Sequence, residues 1–165
     1  MKPILYLDVD GVLVGFPEFY SAEWWKQHPE GIAAYRVKNC LMWLTDNFEV
    51  RWLTAWVSKG SMHPSRIEDL QRVLGDVPTN IINKIHNPME RILSDKTSAI
   101  DFETMREWYW FDDELSMEES ITLQKHHSLT KFIGINTSVD IYSLIRACMY
   151  LGMMLEIPLG ALTID

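Results

Sequence analysis

The chain has 165 residues, 47% of them hydrophobic, and 15 basic against 23 acidic side chains give it a net charge of −8. One domain with a substantial core is the expectation at this length, and the scattered basic residues exclude a stripe for an extended duplex while leaving a single strand or end of a nucleic acid open. Cys40 and Cys148 stand far apart without metal-ligand spacing, which argues against a disulfide framework or a zinc site and for reduced core residues. No signal peptide precedes Ile4, and the longest apolar run, residues 147–155, falls well short of the roughly 20 residues that span a bilayer, so a cytoplasmic protein with no membrane partner is expected.

Ile4-Leu5-Tyr6-Leu7 reads as a buried parallel strand that runs into Asp8 and Asp10, followed at once by Gly11. Ligands of open α/β sheets bind beyond the carboxyl ends of the strands, so both carboxylates stand where chemistry is delivered, and Gly11 lets the backbone turn there. Two acids this close repel unless a cation lies between them, which asks for a divalent metal, most naturally Mg²⁺. A plain Asp-rich turn is the structural alternative.

Residues 15–30 are aromatic and punctuated by Pro17, and Trp24 and Trp25 are candidates either for a wall on which a substrate ring stacks or for packing on the core. A first long helix is predicted over 31–47, with Ile32, Ala33, Tyr35, Val37, Leu41 and Leu44 near helical spacing. Residues 48–54 form a second strand that finishes on the Thr54 hydroxyl, and Trp56 beyond it is a third candidate for the substrate wall. The next helix covers 66–74, with Ser65 as N-cap, Glu68 completing a capping box and Gly75 closing it. His63 is read as a rim residue. Residues 79–85 are a weaker third strand, 86–95 a polar loop or short helix, and a helix is predicted from Ser94 to about Glu107.

An aromatic strand over 107–111 ends in Asp112-Asp113 and repeats the logic of the first strand, against the competing explanation of an acidic helix start. His126 and His127, being adjacent, face apart and are not expected to share a metal. A fifth strand is predicted over 131–136 and an amphipathic helix over 140–151, after which the tail, 157–165, either adds an edge strand or packs under the sheet.

Asp8-Val9-Asp10-Gly11-Val12 resembles the first motif of the haloacid dehalogenase (HAD) superfamily of phosphohydrolases. Trp52-Leu53-Thr54-Ala55-Trp56 and Phe111-Asp112-Asp113-Glu114-Leu115 look like the forms in one branch, the small and nearly capless HAD domains associated with RNA-repair proteins. The resemblance implies an α/β, Rossmann-like three-layer sandwich around a mainly parallel sheet of five or six strands, with a short helical turn and a β-hairpin flap in place of a large cap.

It also implies roles. Thr54 is the second motif and hydrogen-bonds a phosphoryl oxygen; Lys96, with Lys84 as its rival, is the third; Asp112 and Asp113 are the fourth. Asp8 attacks phosphorus to form an aspartyl-phosphate, while Asp10 protonates the leaving oxygen and then takes a proton from water. Mg²⁺ is held by Asp8, the Asp10 backbone carbonyl and Asp112, with Asp113 ligating directly or orienting a water. An open site admits a macromolecular end or calls for a neighbouring subunit, so the expected activity is Mg²⁺-dependent hydrolysis of a phosphomonoester, on a nucleic-acid end or a nucleotide. The alternatives are a small-molecule 5′-nucleotidase, whose helical cap looks too large for the span before Gly31, and a non-catalytic binding or regulatory module on the same fold.

Overall fold

Strand β1 (Ile4–Leu7) is the axis of a computed structural model that describes residues 1–58, 61–62, 64–75, 77–86 and 95–162. All four of its side chains are buried, which requires apolar cover on both faces of the sheet, and each such side chain contributes about 1.5–3 kcal/mol on burial. The chain then makes a short ribbon, β2 (Val14–Gly15) with β3 (Ile32–Ala33), whose long loop carries the six-residue helix α1 (Ala22–Gln27). Helix α2 (Val37–Asn47) leads to β4 (Glu49–Trp52), a second small ribbon β5 (Val57–Ser58) and β6 (Ser61–Met62), and helices α3 (Pro64–Leu74) and α4 (Thr79–Ile82). A single 3-10 turn, Lys96–Ala99, precedes β7 (Trp108–Asp112); α5 (Met117–Lys125), β8 (Phe132–Gly134) and α6 (Ser143–Met154) follow.

The main sheet is parallel throughout, in the order β4-β1-β7-β8. Because side chains alternate across a strand, Leu5 and Leu7 join the cluster that includes Cys40, Leu41, Leu44, Leu144, Cys148 and Leu151 from α2 and α6, while Ile4 and Tyr6 pack with Trp108, Trp110 and Leu123 on the α5 side. Helices thus cover both faces. The chain leaves β1 for β4 on one side and later returns to β7 on the other, so the order reverses at β1 and a crevice opens beyond its carboxyl end. No helix among the described residues is long and apolar enough to cross a membrane.

Four strands, rather than the expected five or six, make this sheet among the described residues. The expected third strand is helix α4 instead: Ile81, Ile82 and Ile85 are all buried, and that i, i+1, i+4 spacing suits one face of a helical turn, not an alternating strand. What remains of strand pairing there is a single parallel bridge, where the His86 N–H donates to the Val50 carbonyl at 2.9 Å and the Trp52 N–H donates to the His86 carbonyl at 2.8 Å.

The first long helix starts at Val37, not at residue 31, because Ile32 and Ala33 pair with Gly15 and Val14 and Arg36 takes a left-handed φ of 53° that no helix interior accommodates. The helix predicted from Ser94 to Glu107 shrinks to one 3-10 turn. Asp101 and Thr104 accept hydrogen bonds from the N–H groups of Glu103 and Arg106, and these local bonds compete with helix continuation. The tail adds no edge strand among the described residues: Leu162 is buried in the α2 and α6 cluster, and the Trp43 indole donates to the Pro158 carbonyl at 2.9 Å. His63, residues 87–94 and the Ser65 cap lie outside what is described.

Candidate active site

Three adjacent strands deliver the site at their carboxyl ends. β1 runs into Asp8, β7 ends on Asp112 with Asp113 next, and β4 leads through Leu53, whose N–H donates to the Leu7 carbonyl at 2.9 Å, to Thr54. Carboxylate oxygens of Asp8, Asp112 and Asp113 all lie within 4.8 Å of one another, the first two residues buried and the third exposed. At that separation and an effective dielectric near 20, each like-charged pair costs about 3 kcal/mol or more.

Lys96 answers part of that repulsion. Its Nζ donates to Asp8 Oδ2 and to Asp112 Oδ2, both at 2.6 Å. Among the described residues, three carboxylates against one ammonium leave an excess of two negative charges. The excess shows in how the acids titrate: burial and then the Asp8 charge push Asp112 up to about 7, against the pull of Lys96. Burial and Asp8 raise Asp113 as well. Burial works against the charged ammonium of Lys96, but Asp8 and Asp112 outweigh it and raise the group. A hard divalent cation fits both the oxygen donor set and the uncompensated charge.

The remaining hydrogen bonds orient the acids. Asp8 Oδ1 accepts from the Val9 N–H at 2.7 Å, while Asp112 accepts from the Trp110 indole at 3.0 Å and from the Glu114 N–H at 3.3 Å. Gly11, at a φ of 73°, sits against Asp113 so closely that a Cβ there would lie 2.1 Å from its carboxyl carbon. Buried Thr137 ties down the same turn, its N–H donating to the Gly11 carbonyl at 2.7 Å and its hydroxyl to the Val12 carbonyl at 2.6 Å.

Asp10 stands apart from the cluster. Its Oδ2 accepts from the Trp56 indole at 2.9 Å, and its carboxyl is raised by burial, with the Trp56 bond opposing that shift and the Asp8 charge adding to it. Thr54 is buried, and its hydroxyl accepts from the Trp56 N–H at 3.4 Å. Lys84, the rival of Lys96, pairs instead with Asp46 at 3.7 Å. Trp24 and Trp25 are neither in the core nor against the acids: α1 buries no residue, Trp24 stacks between Tyr20 and His28 with centroids 4.1 Å from each, and Trp25 leans on Phe16. The rings that line the cleft beside Asp10 are Phe16 and Trp56. His126 stacks on Phe102, and His127 takes a φ of 53°.

Sequence reasoning missed three supports. Glu119 accepts from the Lys96 N–H at 3.1 Å and from the Ser116 N–H at 3.0 Å, completing a capping box that Ser116-Met117-Glu118-Glu119 spells out. Trp110 shares a strand face with Asp112, two residues on, which is a legible signal. Thr137 lies 125 residues from the carbonyl it binds, and no local pattern marks it. Comparison of the chain with family models, curated proteins and solved structures finds no match.

Proposed function

We propose that the chain is a Mg²⁺-dependent phosphomonoester hydrolase of the HAD type, working through an aspartyl-phosphate at Asp8. The observation that carries this reading is the acid cluster itself, with Lys96 bonded to both Asp8 and Asp112 at 2.6 Å beyond the carboxyl end of the sheet. Asp8, Asp112 and Asp113 would hold Mg²⁺, together with the Asp10 backbone carbonyl, and the ion when bound supplies charge neutralisation for an incoming phosphate.

The residues then divide the work. An Asp8 oxygen attacks phosphorus as the ester P–O bond breaks, and Asp10 gives its proton to the departing oxygen. In the second half a water attacks the phosphoryl group, Asp10 takes its proton, and phosphate leaves with Asp8 restored. Burial that raises Asp10 favours the protonated form needed for the first half. Lys96 and the Thr54 hydroxyl stabilise the equatorial phosphoryl oxygens. Between β2 and β3 the chain carries one six-residue helix among the described residues, no large cap, which supports a substrate such as a nucleotide or a nucleic-acid end.

The test is hydrolysis of p-nitrophenyl phosphate with Mg²⁺ by wild type and Asp8→Asn. Loss of the nucleophile lowers kcat by about 10³-fold or more. Equal rates from the two proteins would overturn the reading and favour a non-catalytic module.

A further inference from the structure

Two clefts open on either side of Phe16 near the carboxyl end of the sheet, and they differ in charge. One, of about 510 Å³, is lined by Asp113, Glu18 and apolar or neutral groups such as Phe19, Asn136 and Val139, with no cation among the described residues. The other, of about 420 Å³, starts at Asp10 and is walled by Phe16 and Trp56, with Arg66 and Arg72 from α3. Phe16 is the partition between them.

We infer that the cleft beside Asp10 takes the leaving group of the phosphate ester and selects one that carries a flat ring and one further anionic group, as a nucleoside bisphosphate does. The inference rests on the phosphatase reading above, and two independent features of the cleft support it. The group that must protonate the departing oxygen lies on this side, so the departing half of the substrate extends into this space and away from Asp113. The same space holds the aromatic and cationic pair that such a leaving group needs: the Arg66 guanidinium lies over the Trp56 ring, 5.1 Å from its centroid, and the Trp56 indole edge is bonded to Asp10 at 2.9 Å.

The charge balance sets how many anionic groups are read. Arg72 is paired with Asp69 at 3.2 Å, and Glu30 faces the cleft from the hairpin loop. Arg66 is therefore the recognition element, and one further anionic group is read. Trp56 is a positioning residue here: it holds the acid at the mouth of the cleft and offers the ring surface.

The experiment compares kcat/KM with Mg²⁺ for ribose 5-phosphate, adenosine 5′-monophosphate and adenosine 3′,5′-bisphosphate, which add the ring and then the second anion in turn. The expected order rises along that series, with the bisphosphate about tenfold or more above the monophosphate. Arg66→Ala collapses the ratio of bisphosphate to monophosphate toward one, and Arg66→Lys restores part of it. Arg66 is exposed, and an unchanged thermal midpoint for both variants checks that they fold. A wild-type ratio near one, a ratio that survives Arg66→Ala, or a preference for an acidic phosphotyrosine peptide over the bisphosphate each overturns the inference while leaving the phosphatase reading standing. No Mg²⁺-dependent hydrolysis of any ester, ribose 5-phosphate included, overturns both.

Discussion

The two ends of the parallel sheet handle charge in opposite ways. At the amino end, Glu49 opens β4 between two guanidinium groups, accepting from Arg51 at 2.6 and 2.9 Å and from Arg106 at 2.7 Å. Hydrogen bonds from Arg51 and Arg106 hold its carboxyl below the ordinary value of 4.5. At the carboxyl end, three acids share one lysine, and Asp10, Asp112 and Asp113 all move up. Among the described residues, one end is satisfied and the other is in deficit of positive charge. A cluster built for stability alone would resemble the first, so the deficit at the second supports the proposed cation and phosphate site at that end.

The largest test of this contrast removes Lys96, the one cation bonded to the cluster among the described residues. Lys96→Met in chelator takes away the cation that bonds buried Asp8 and Asp112. Asp112, already raised to about 7, takes up a proton near neutrality. The full cost of breaking a partly buried pair, about 3 kcal/mol, is therefore read as the denaturant midpoint of unfolding at alkaline pH and shrinks as pH falls. An unchanged midpoint would mean that the acids are not in deficit. Next in size is the effect of Mg²⁺ itself. An ion bound only by the folded chain stabilises it by about 2.7 kcal/mol at a hundred times its Kd, and Asp112→Asn abolishes that increment. Absence of any Mg²⁺-dependent rise in wild-type Tm would break the comparison from the other side.

How far the sequence announces this contrast depends on the range of the signals. The acid pairs at the ends of β1 and β7 are legible because an apolar run followed at once by carboxylates is a local pattern; strands β1, β4 and β8 lie within the predicted segments, and β7 runs one residue further, onto Asp112. Lys96 is found by resemblance, although the helix predicted around it is a single turn. What escapes is non-local. Ile81, Ile82 and Ile85 pass for a strand until their burial on one face is seen, and residues 31–36 pass for helix because their pairing partner, β2, lies upstream. The Glu49 network escapes too, since Arg106 is 57 residues away.

A smaller effect sharpens the contrast by relieving the deficit without removing its cation. Asp113→Asn keeps the side chain's shape beside Gly11 but deletes one charge from the cluster. In metal-free buffer the variant is more stable than wild type by about 1 kcal/mol, and it gains less from Mg²⁺. Stabilisation without the ion and weakened response to it come from one cause, so observing the first without the second would separate charge relief from metal binding.

The smallest effect belongs to the satisfied end and has the opposite dependence on conditions. Glu49 is partly exposed and its bonds to Arg51 and Arg106 are screened by water, so Glu49→Gln costs about 1 kcal/mol or less at pH 7 and Mg²⁺ does not change that cost. The sign with pH follows from the direction of the shift. Because the folded carboxyl titrates below its unfolded value, the contribution is fully present above the unfolded pKa and is lost as pH falls through the folded one. Wild type and Glu49→Gln therefore converge in stability in acid and part again toward neutrality, which denaturant titrations across that range would trace. A difference that persists in strong acid would show that the arginines hold the side chain by packing, and the charge contrast between the two ends of the sheet would then rest on the acid cluster alone.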